Sequence, residues 1–565
     1  MTAREQTRPG LAADRRAPGA RPPAGGDVAP VAVVTLALVI LVSTVAGWVG
    51  LSPLRSPGAA GGLLLVAVVA AAVLVVLTRP RAAAGGTPRT SAVVLALPAL
   101  GVGAVTAVGA VLGVPRGIAW FLNGDHTRHL VYVADTWAQG ALSYSVESYP
   151  HGWHALLAAG WAVTGAGLDP DALVRLVRLM ALASLLLSVL LALAMAHLAH
   201  SVLDRLGTGA RGSVLGGLLV GAGCLLTFVL ANYQALGYEN SLLAAVVVAT
   251  SLREVVLRAG SPTSLVVTGA GVVVTAHAWQ LLLPSVALAA LWCGWRALAV
   301  REGAPRKVLV AVLALGVPVA LPGVLAVVRA VGLDHAAEAG PDSPVPLPLV
   351  VLAVVLSVAV AAVARDAVIA CAAVATALPA ATALALSAVL GVGLLEYYPS
   401  KLLWQSAVLG LLWVVVAGAL AGHGLLTQAP AVRPVVRVVG GVAAALFVLW
   451  ALVLPWGSLV GTWATVDAAR VLAALRTPGA PDATVVWLQA TPTSDSVTRS
   501  LLDAYRVGET RERMPQARQS VEAECVLLGA AAAPVILTTA SEAEARQRYS
   551  CAPAARVVRV SLPPS

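Results

Sequence analysis

Long apolar runs recur along most of the chain, separated by short polar segments. A membrane-spanning helix needs about 20 mainly apolar residues, because the hydrocarbon core of a bilayer is about 30 Å thick. A shorter apolar run at 153–166 predicts an interfacial or re-entrant helix. The longer runs predict thirteen spans, at 30–51, 59–78, 91–113, 172–198, 212–231, 239–257, 262–276, 279–299, 307–331, 345–363, 366–394, 400–421 and 437–457.

The pattern changes at both ends of the chain. Residues 1–29 are rich in Pro, Gly and Arg, which predicts a disordered cytoplasmic tail before the transmembrane domain at 30–457. Residues 458–565 alternate short apolar runs with amphipathic stretches, which predicts a small α/β domain outside the membrane. Its predicted strands are 485–489, 525–529 and 555–562, and its predicted helices are 496–507 and 541–549.

Composition and charge agree with an all-α polytopic membrane protein. The chain is 59% hydrophobic and 11% charged, whereas soluble domains carry about 25% charged residues. The net charge of +10 does not indicate a nucleic-acid partner, because the basic residues follow the loop pattern. With the N-terminus inside, cytoplasmic segments hold nineteen Lys and Arg, and the outer segments before the C-terminal domain hold seven. This bias predicts a multi-pass plasma-membrane (inner-membrane) protein whose C-terminal domain is extracytoplasmic.

The first large outer loop, 114–170, has the most unusual polar composition. Asp125 follows the turn pair Asn123-Gly124, which predicts a position where a loop enters a helix. A carboxylate there can accept a proton from a hydroxyl group, or it can simply cap the helix and pair with Arg128. The loop residues predicted to contact a substrate are His126, His129, Glu147, Tyr149, His151, Trp153 and His154.

Two alternatives for this loop stay open at the level of the sequence. Its aromatic residues are equally typical of the belt found at membrane–water interfaces. The second alternative is that Asp125 and nearby histidines hold a divalent metal, although no ligand spacing in the loop is diagnostic.

Other polar motifs fall on the same predicted side of the membrane. Lys401 is one of only two lysines and lies where basic residues are scarce. An ammonium there suits a lipid-linked phosphate, and contact with ordinary lipid headgroups explains the same position. We therefore expect one outward-facing site built from several loops. Its further candidate residues are Glu239 in YQALGYEN, His277 in HAWQ, and Glu396, Tyr397 and Tyr398 in EYYPSK.

The polar C-terminal segment contains Cys525 and Cys551, the only cysteines beyond the predicted spans. Disulfides persist outside the cytoplasm, so this placement predicts that the two residues pair. The alternative is a pair of unrelated small core residues.

Thirteen predicted spans, a large first outer loop with an acid near its start, and an outer C-terminal domain resemble the GT-C glycosyltransferases. EYYPSK with Lys401 looks like a donor-phosphate element of the actinobacterial arabinofuranosyltransferases in this class. The resemblance implies inverting transfer of a sugar, such as arabinofuranose, from a polyprenyl-phosphate donor to a cell-envelope glycan. It implies that Asp125 is the catalytic base, and that Lys401 binds the donor phosphate with Arg128, Tyr397 and Tyr398.

One departure from the family pattern concerns the acid itself. Many GT-C enzymes carry two adjacent acids in this loop, whereas His126 follows Asp125 here. Two other function classes stay open: a transporter or flippase for an envelope glycolipid, and a non-catalytic envelope-assembly scaffold. A transporter requires charged or broken-helix features near mid-bilayer, where the spans are rich in Ala, Val and Leu. A scaffold has no need for an acid, a lysine and histidines on one side.

Overall fold

The computed structural model describes residues 28–79, 93–101, 103–104, 125–142, 151–226, 237–299, 303–330, 347–428, 466–510 and 520–562. The predicted span at 437–457, the second half of 91–113 and nearly all of the predicted tail lie outside these residues. The first helix begins at Val28, so it includes the last two residues of the predicted tail.

Helices form most of the described chain. A further helical stretch covers residues 93–101. In chain order the helices before the C-terminal domain are α1 (Val28–Trp48), α2 (Pro57–Leu77), α3 (His126–Gln139), α4 (Gly152–Val163), α5 (Pro170–Arg205), α6 (Gly209–Leu226), α7 (Glu239–Arg258), α8 (Pro262–Ala278), α9 (Leu283–Ala299), α10 (Gly303–Ala330), α11 (Leu347–Ala364), α12 (Ala367–Leu390) and α13 (Tyr397–Gln428).

Several of these helices are suited to a membrane. Within the described ranges, nine are long and apolar enough to cross one: α1, α2, α5, α7, α9 with the short turn before it, and α10 to α13. The predicted spans at 212–231 and 262–276 correspond to α6 and α8, which are helical but do not belong to that group. The polytopic helical architecture is therefore present, with nine of the thirteen predicted spans matched.

Local chemistry explains where key helices begin. Ser56 accepts a hydrogen bond from the amide of Ala59, and Pro57 occupies the first turn of α2. Asp169 caps α5 by accepting from two backbone amides, and Asp366 caps α12 in the same way. Such caps satisfy amides that have no partner within the helix.

Helix α7 lies at the centre of the bundle, with almost all of its residues buried. Outer helices present leucine and valine outward instead, such as Leu65 of α2, Val310 of α10 and Val351 of α11, each more than 60% exposed. An apolar surface of this extent needs a non-aqueous environment. The arrangement indicates a membrane-embedded protein.

The short apolar run at 153–166 forms α4, a twelve-residue helix. Its length is too small to cross a bilayer. Neighbouring helices surround it, among them α1, α2 and α3, and most of its side chains are buried.

The described part of the C-terminal domain contains four α-helices and three strands. In chain order they are α14 (Ala468–Arg476), β1 (Val485–Trp487), α15 (Pro492–Thr510), α16 (Val521–Ala530), β2 (Val535–Thr538), α17 (Glu542–Arg548) and β3 (Arg556–Arg559). The strands form a parallel sheet in the order β1-β2-β3. Helix α15 packs along α3, so this domain contacts the helix that follows Asp125. Cys525 and Cys551 form a disulfide between α16 and the turn after α17.

One predicted strand of this domain is wrong. Residues 525–529 belong to α16, because Ser520 caps the helix and acidic Glu522 and Glu524 occupy its first turn. The middle strand of the sheet, β2, was not predicted. Both errors come from short apolar runs, whose periodicity does not distinguish a buried strand from a buried helix segment.

Candidate functional site

Asp125 occupies the capping position of α3, as predicted from the preceding Asn123-Gly124 pair in the sequence. Its carboxylate makes no capping hydrogen bond. Instead, Oδ2 accepts a hydrogen bond of 2.7 Å from the hydroxyl of Tyr397 and one of 3.3 Å from Nζ of Lys401. Both of these hydrogen-bond donors belong to the EYYPSK motif at the start of α13.

Two tyrosine rings enclose the ammonium of Lys401. Nζ lies 3.5 Å from the ring centroid of Tyr238 and 3.7 Å from that of Tyr397. The lysine side chain is 7% exposed, compared with 22% for Asp125. Tyr398 packs edge-on against Tyr397, with ring centroids 5.1 Å apart. The negative faces of the rings and the carboxylate together compensate for burying the cation.

The surroundings of Asp125 favour its ionised form. Burial raises the pKa of this carboxyl, but Lys401, His129, the Tyr397 hydrogen bond and Arg128 lower it and outweigh the effect of burial. The pKa of Asp125 therefore lies below its usual value, and the group is ionised at neutral pH. Arg128 is exposed, three residues further along the chain.

A buried network of histidines lies directly behind Asp125. Glu239, the first residue of α7, places Oε1 2.5 Å from Nδ1 of His126 and Oε2 3.3 Å from Nε2 of His129. Nε2 of His129 also lies 2.7 Å from the carbonyl oxygen of Gly237. His154 of α4 approaches from the other side, with its Nε2 2.8 Å from Nδ1 of His129.

This network assigns the tautomer of His129. Its Nε2 faces two acceptors, the Gly237 carbonyl and Glu239, so Nε2 carries the proton. Burial lowers the pKa of His129 more than Glu239 and Asp125 raise it, which keeps the ring neutral. Nδ1 consequently accepts a hydrogen bond from Nε2–H of His154.

The backbone of Gly237 packs closely against the first residues of α3. Its φ is +78°, and a Cβ at this position would collide with the backbone nitrogen of His126 and approach the backbone of Asp125. Only glycine suits both the conformation and the space. Gly237 is thereby held against the backbone of the residue that carries the acid.

The other predicted residues occupy varied positions. His151 meets the edge of Tyr132 at 5.2 Å between centroids, and Trp153 is 4% exposed within α4. His277 places Nε2 2.6 Å from the carbonyl oxygen of Val319. Glu396 is half-buried just before α13. Glu147 and Tyr149 lie outside the described residues.

Two residues of this site were missed from the sequence. Tyr238 was not among the predicted site residues, but its ring covers the Lys401 ammonium. Gly237 was not singled out. The adjacent Gly-Tyr-Glu of YQALGYEN is the only local signal for either, and it does not show which partner each residue meets.

No group of three or more His, Cys, Asp or Glu suited to a metal ion occurs among the residues with a described position. Within the network, His126 and His129 each contact Glu239.

No protein-family model matches the sequence, and no curated protein matches it at a significant level. The fold and the site define a helical membrane protein with a partly buried acid–lysine–tyrosine centre.

Proposed function

We propose that this protein is a membrane glycosyltransferase that transfers a sugar from a polyprenyl-phosphate donor to a cell-envelope glycan on the outer face of the membrane. One observation carries the proposal: the carboxylate of Asp125 contacts Lys401 and Tyr397, although they lie more than 270 residues away in the chain. A base and a cation for phosphate thus lie side by side. A scaffold has no need for such a pair.

In the reaction, Asp125 accepts the proton of an acceptor hydroxyl. The hydroxyl oxygen forms a bond to the anomeric carbon as the bond from that carbon to the phosphate oxygen breaks. The polyprenyl phosphate departs with the bonding electron pair, and the configuration at the anomeric carbon inverts. Phosphate is already a good leaving group, so the cation Lys401 stabilises the developing charge without a separate acid.

Lys401 connects donor binding with the strength of the base. An ammonium has three N–H donors, and a phosphate competes with Asp125 for them. When Lys401 turns a hydrogen bond from Asp125 to the phosphate, the interaction that lowers the pKa of Asp125 becomes weaker. Donor binding therefore makes the carboxylate a stronger base at the moment when the acceptor is present.

The surrounding residues hold these two groups in place. Tyr397 fixes Oδ2 of Asp125 through its hydroxyl, and its ring packs against the ammonium. Behind the acid, the Glu239 and histidine contacts fix the first turn of α3. Preorganisation of this kind lowers the reorganisation required during charge transfer.

The test uses purified full-length protein in lipid nanodiscs with a set of radiolabelled polyprenyl-phosphate sugars and an envelope-glycan acceptor. We expect one donor to be consumed, and Asp125→Asn to lower kcat by about 10²–10⁴-fold, the usual contribution of a general base. Asp135→Asn is the matched control on the same helix and should retain activity. Full activity in folded Asp125→Asn protein would refute the mechanism. A labelled lipid that changes leaflet without sugar transfer would favour the flippase alternative.

A further inference from the structure

The end of α7 remote from Glu239 carries a second buried charged cluster. Arg253 is 1% exposed and Glu254 is fully buried. Oε1 of Glu254 accepts from Nη1 of Arg253 at 3.0 Å, and Oε2 accepts from Nε of Arg258 at 2.6 Å. At about 1.5 Å per residue, Glu254 lies about 22 Å along the helix from Glu239.

The arginines of this cluster have more donors than the carboxylate can accept. Nε and Nη2 of Arg253, and Nη2 of Arg258, are buried without a hydrogen-bond partner among the described residues. Two guanidinium groups share one carboxylate, which leaves an excess positive charge. Arg79, just beyond α2, lies close enough that Arg258 adds to the effect of burial in lowering its pKa, while Glu254 raises it.

Two ordinary explanations for these arginines fail for Arg253. Basic residues at cytoplasmic helix ends satisfy the positive-inside rule, and cations near a helix C-terminus interact favourably with its dipole. An exposed side chain obtains both effects, as Arg296 does in the last turn of α9. Burying a guanidinium with unmatched N–H groups is costly and adds nothing to either effect.

We propose that Arg253 and Arg258, together with Arg79, bind a phosphate group at the end of the bundle remote from Asp125. The guanidinium fork matches phosphate oxygens in a bidentate arrangement, and the excess positive charge requires an anion. Arg258 is 10% exposed and Arg79 is partly exposed, so the cluster meets the surface on their side. A lipid headgroup with a phosphate monoester and inorganic phosphate both supply this chemistry.

The experiment uses the full chain in a Lys401→Ala background, so that phosphate at the proposed donor site does not contribute. Thermal unfolding is measured in detergent against inorganic phosphate, and in nanodiscs of neutral lipid with or without phosphatidic acid. A saturable rise in Tm with inorganic phosphate indicates a soluble anion. A rise with phosphatidic acid alone indicates a lipid headgroup. Either result supports the site if it depends on the arginines.

That dependence is tested with Arg253→Gln and Arg258→Gln, which should weaken apparent affinity about tenfold or more. Arg211→Gln, an exposed arginine at the beginning of α6, should leave the shift unchanged. If Arg253→Gln does not fold, Arg258→Gln decides, because its side chain is nearer the surface. The absence of a shift with both ligands, or an unchanged shift in the folded arginine variants, would overturn the proposal.

Discussion

At the scale of single residues, Tyr397 makes two separate contacts. Its hydroxyl donates to Asp125, and its ring packs against the ammonium of Lys401. Phenylalanine keeps the ring and removes only the hydroxyl. The two contributions can therefore be separated by one substitution.

Tyr397→Phe should lower kcat/KM about tenfold, because a hydrogen bond to a charged group is lost. The same bond lowers the pKa of Asp125, so its removal raises that pKa. A base must be deprotonated to act, and the acidic limb of the kcat/KM profile should therefore move to higher pH. Tyr505→Phe, which removes a hydroxyl from α15, is the control. An acidic limb at the wild-type pH would show that the Tyr397 hydroxyl does not affect the base.

Lys401→Ala should raise KM for the lipid donor about tenfold, because phosphate binding loses a charge-assisted hydrogen bond. Lys401→Arg should recover only part of this loss, since the larger guanidinium fits poorly between Tyr238 and Tyr397. Lys307→Ala changes the only other lysine, which is exposed, and should leave KM unchanged. Unaltered donor kinetics in Lys401→Ala would assign the lysine to headgroup contact instead.

At the scale of elements, the site depends on how α3, α7 and α13 meet. Asp125 occupies the capping position at the start of α3, Glu239 begins α7, and Lys401 lies in the first turns of α13. Gly237, two residues before α7, packs against the backbone of Asp125 and His126 at the start of α3. The alignment of the acid therefore depends on a residue that has no side chain.

Gly237→Ala should destabilise the protein by about 3 kcal/mol, from the strain of a positive φ and the collision with the His126 backbone. Gly207→Ala is a matched control, because its φ is also positive at +77° and no atom lies within 4 Å of the added Cβ. It should cost only about 1 kcal/mol. The measurement is thermal unfolding in detergent with transferase activity in parallel. Equal losses in the two variants would show that the contact at Gly237 is unimportant.

At the scale of the whole molecule, α7 connects two polar clusters through an apolar bundle. Glu239 contacts the histidines at one end, while Arg253 and Glu254 lie near the other. If α7 spans the bilayer, these clusters face opposite sides. The charge bias of the loops predicts that the acid–lysine site is outside.

Single-cysteine labelling tests this orientation. An impermeant thiol reagent added to intact cells should modify cysteine placed at the exposed position 128 and at the half-buried position 396, and should not modify the exposed positions 211 and 307. The native cysteines in the described helices, Cys224, Cys293 and Cys371, are buried and should give little background. Labelling of 128 and 211 from the same side would contradict the predicted topology.

Much of the architecture could be predicted because hydropathy is a local property. Nine of the thirteen predicted spans match described helices that are long and apolar enough to cross a membrane, and 437–457 lies outside the described residues. The strand at 525–529 was predicted wrongly, because capping by Ser520 and the acidic first turn outweighed a short apolar run. The length of a bilayer constrains an apolar helix far more strongly than a five-residue run constrains a strand.

The sequence by itself determined the membrane class, the position of Asp125 at a helix entry and the choice of EYYPSK as a partner motif. These follow from hydropathy, turn chemistry and the rarity of lysine, which are all read locally. The tertiary structure alone decided that Lys401 meets Asp125, that Tyr238 covers the ammonium, and that Gly237 packs against α3. Such contacts join residues more than a hundred positions apart, and only the packing of helices brings them within hydrogen-bonding distance.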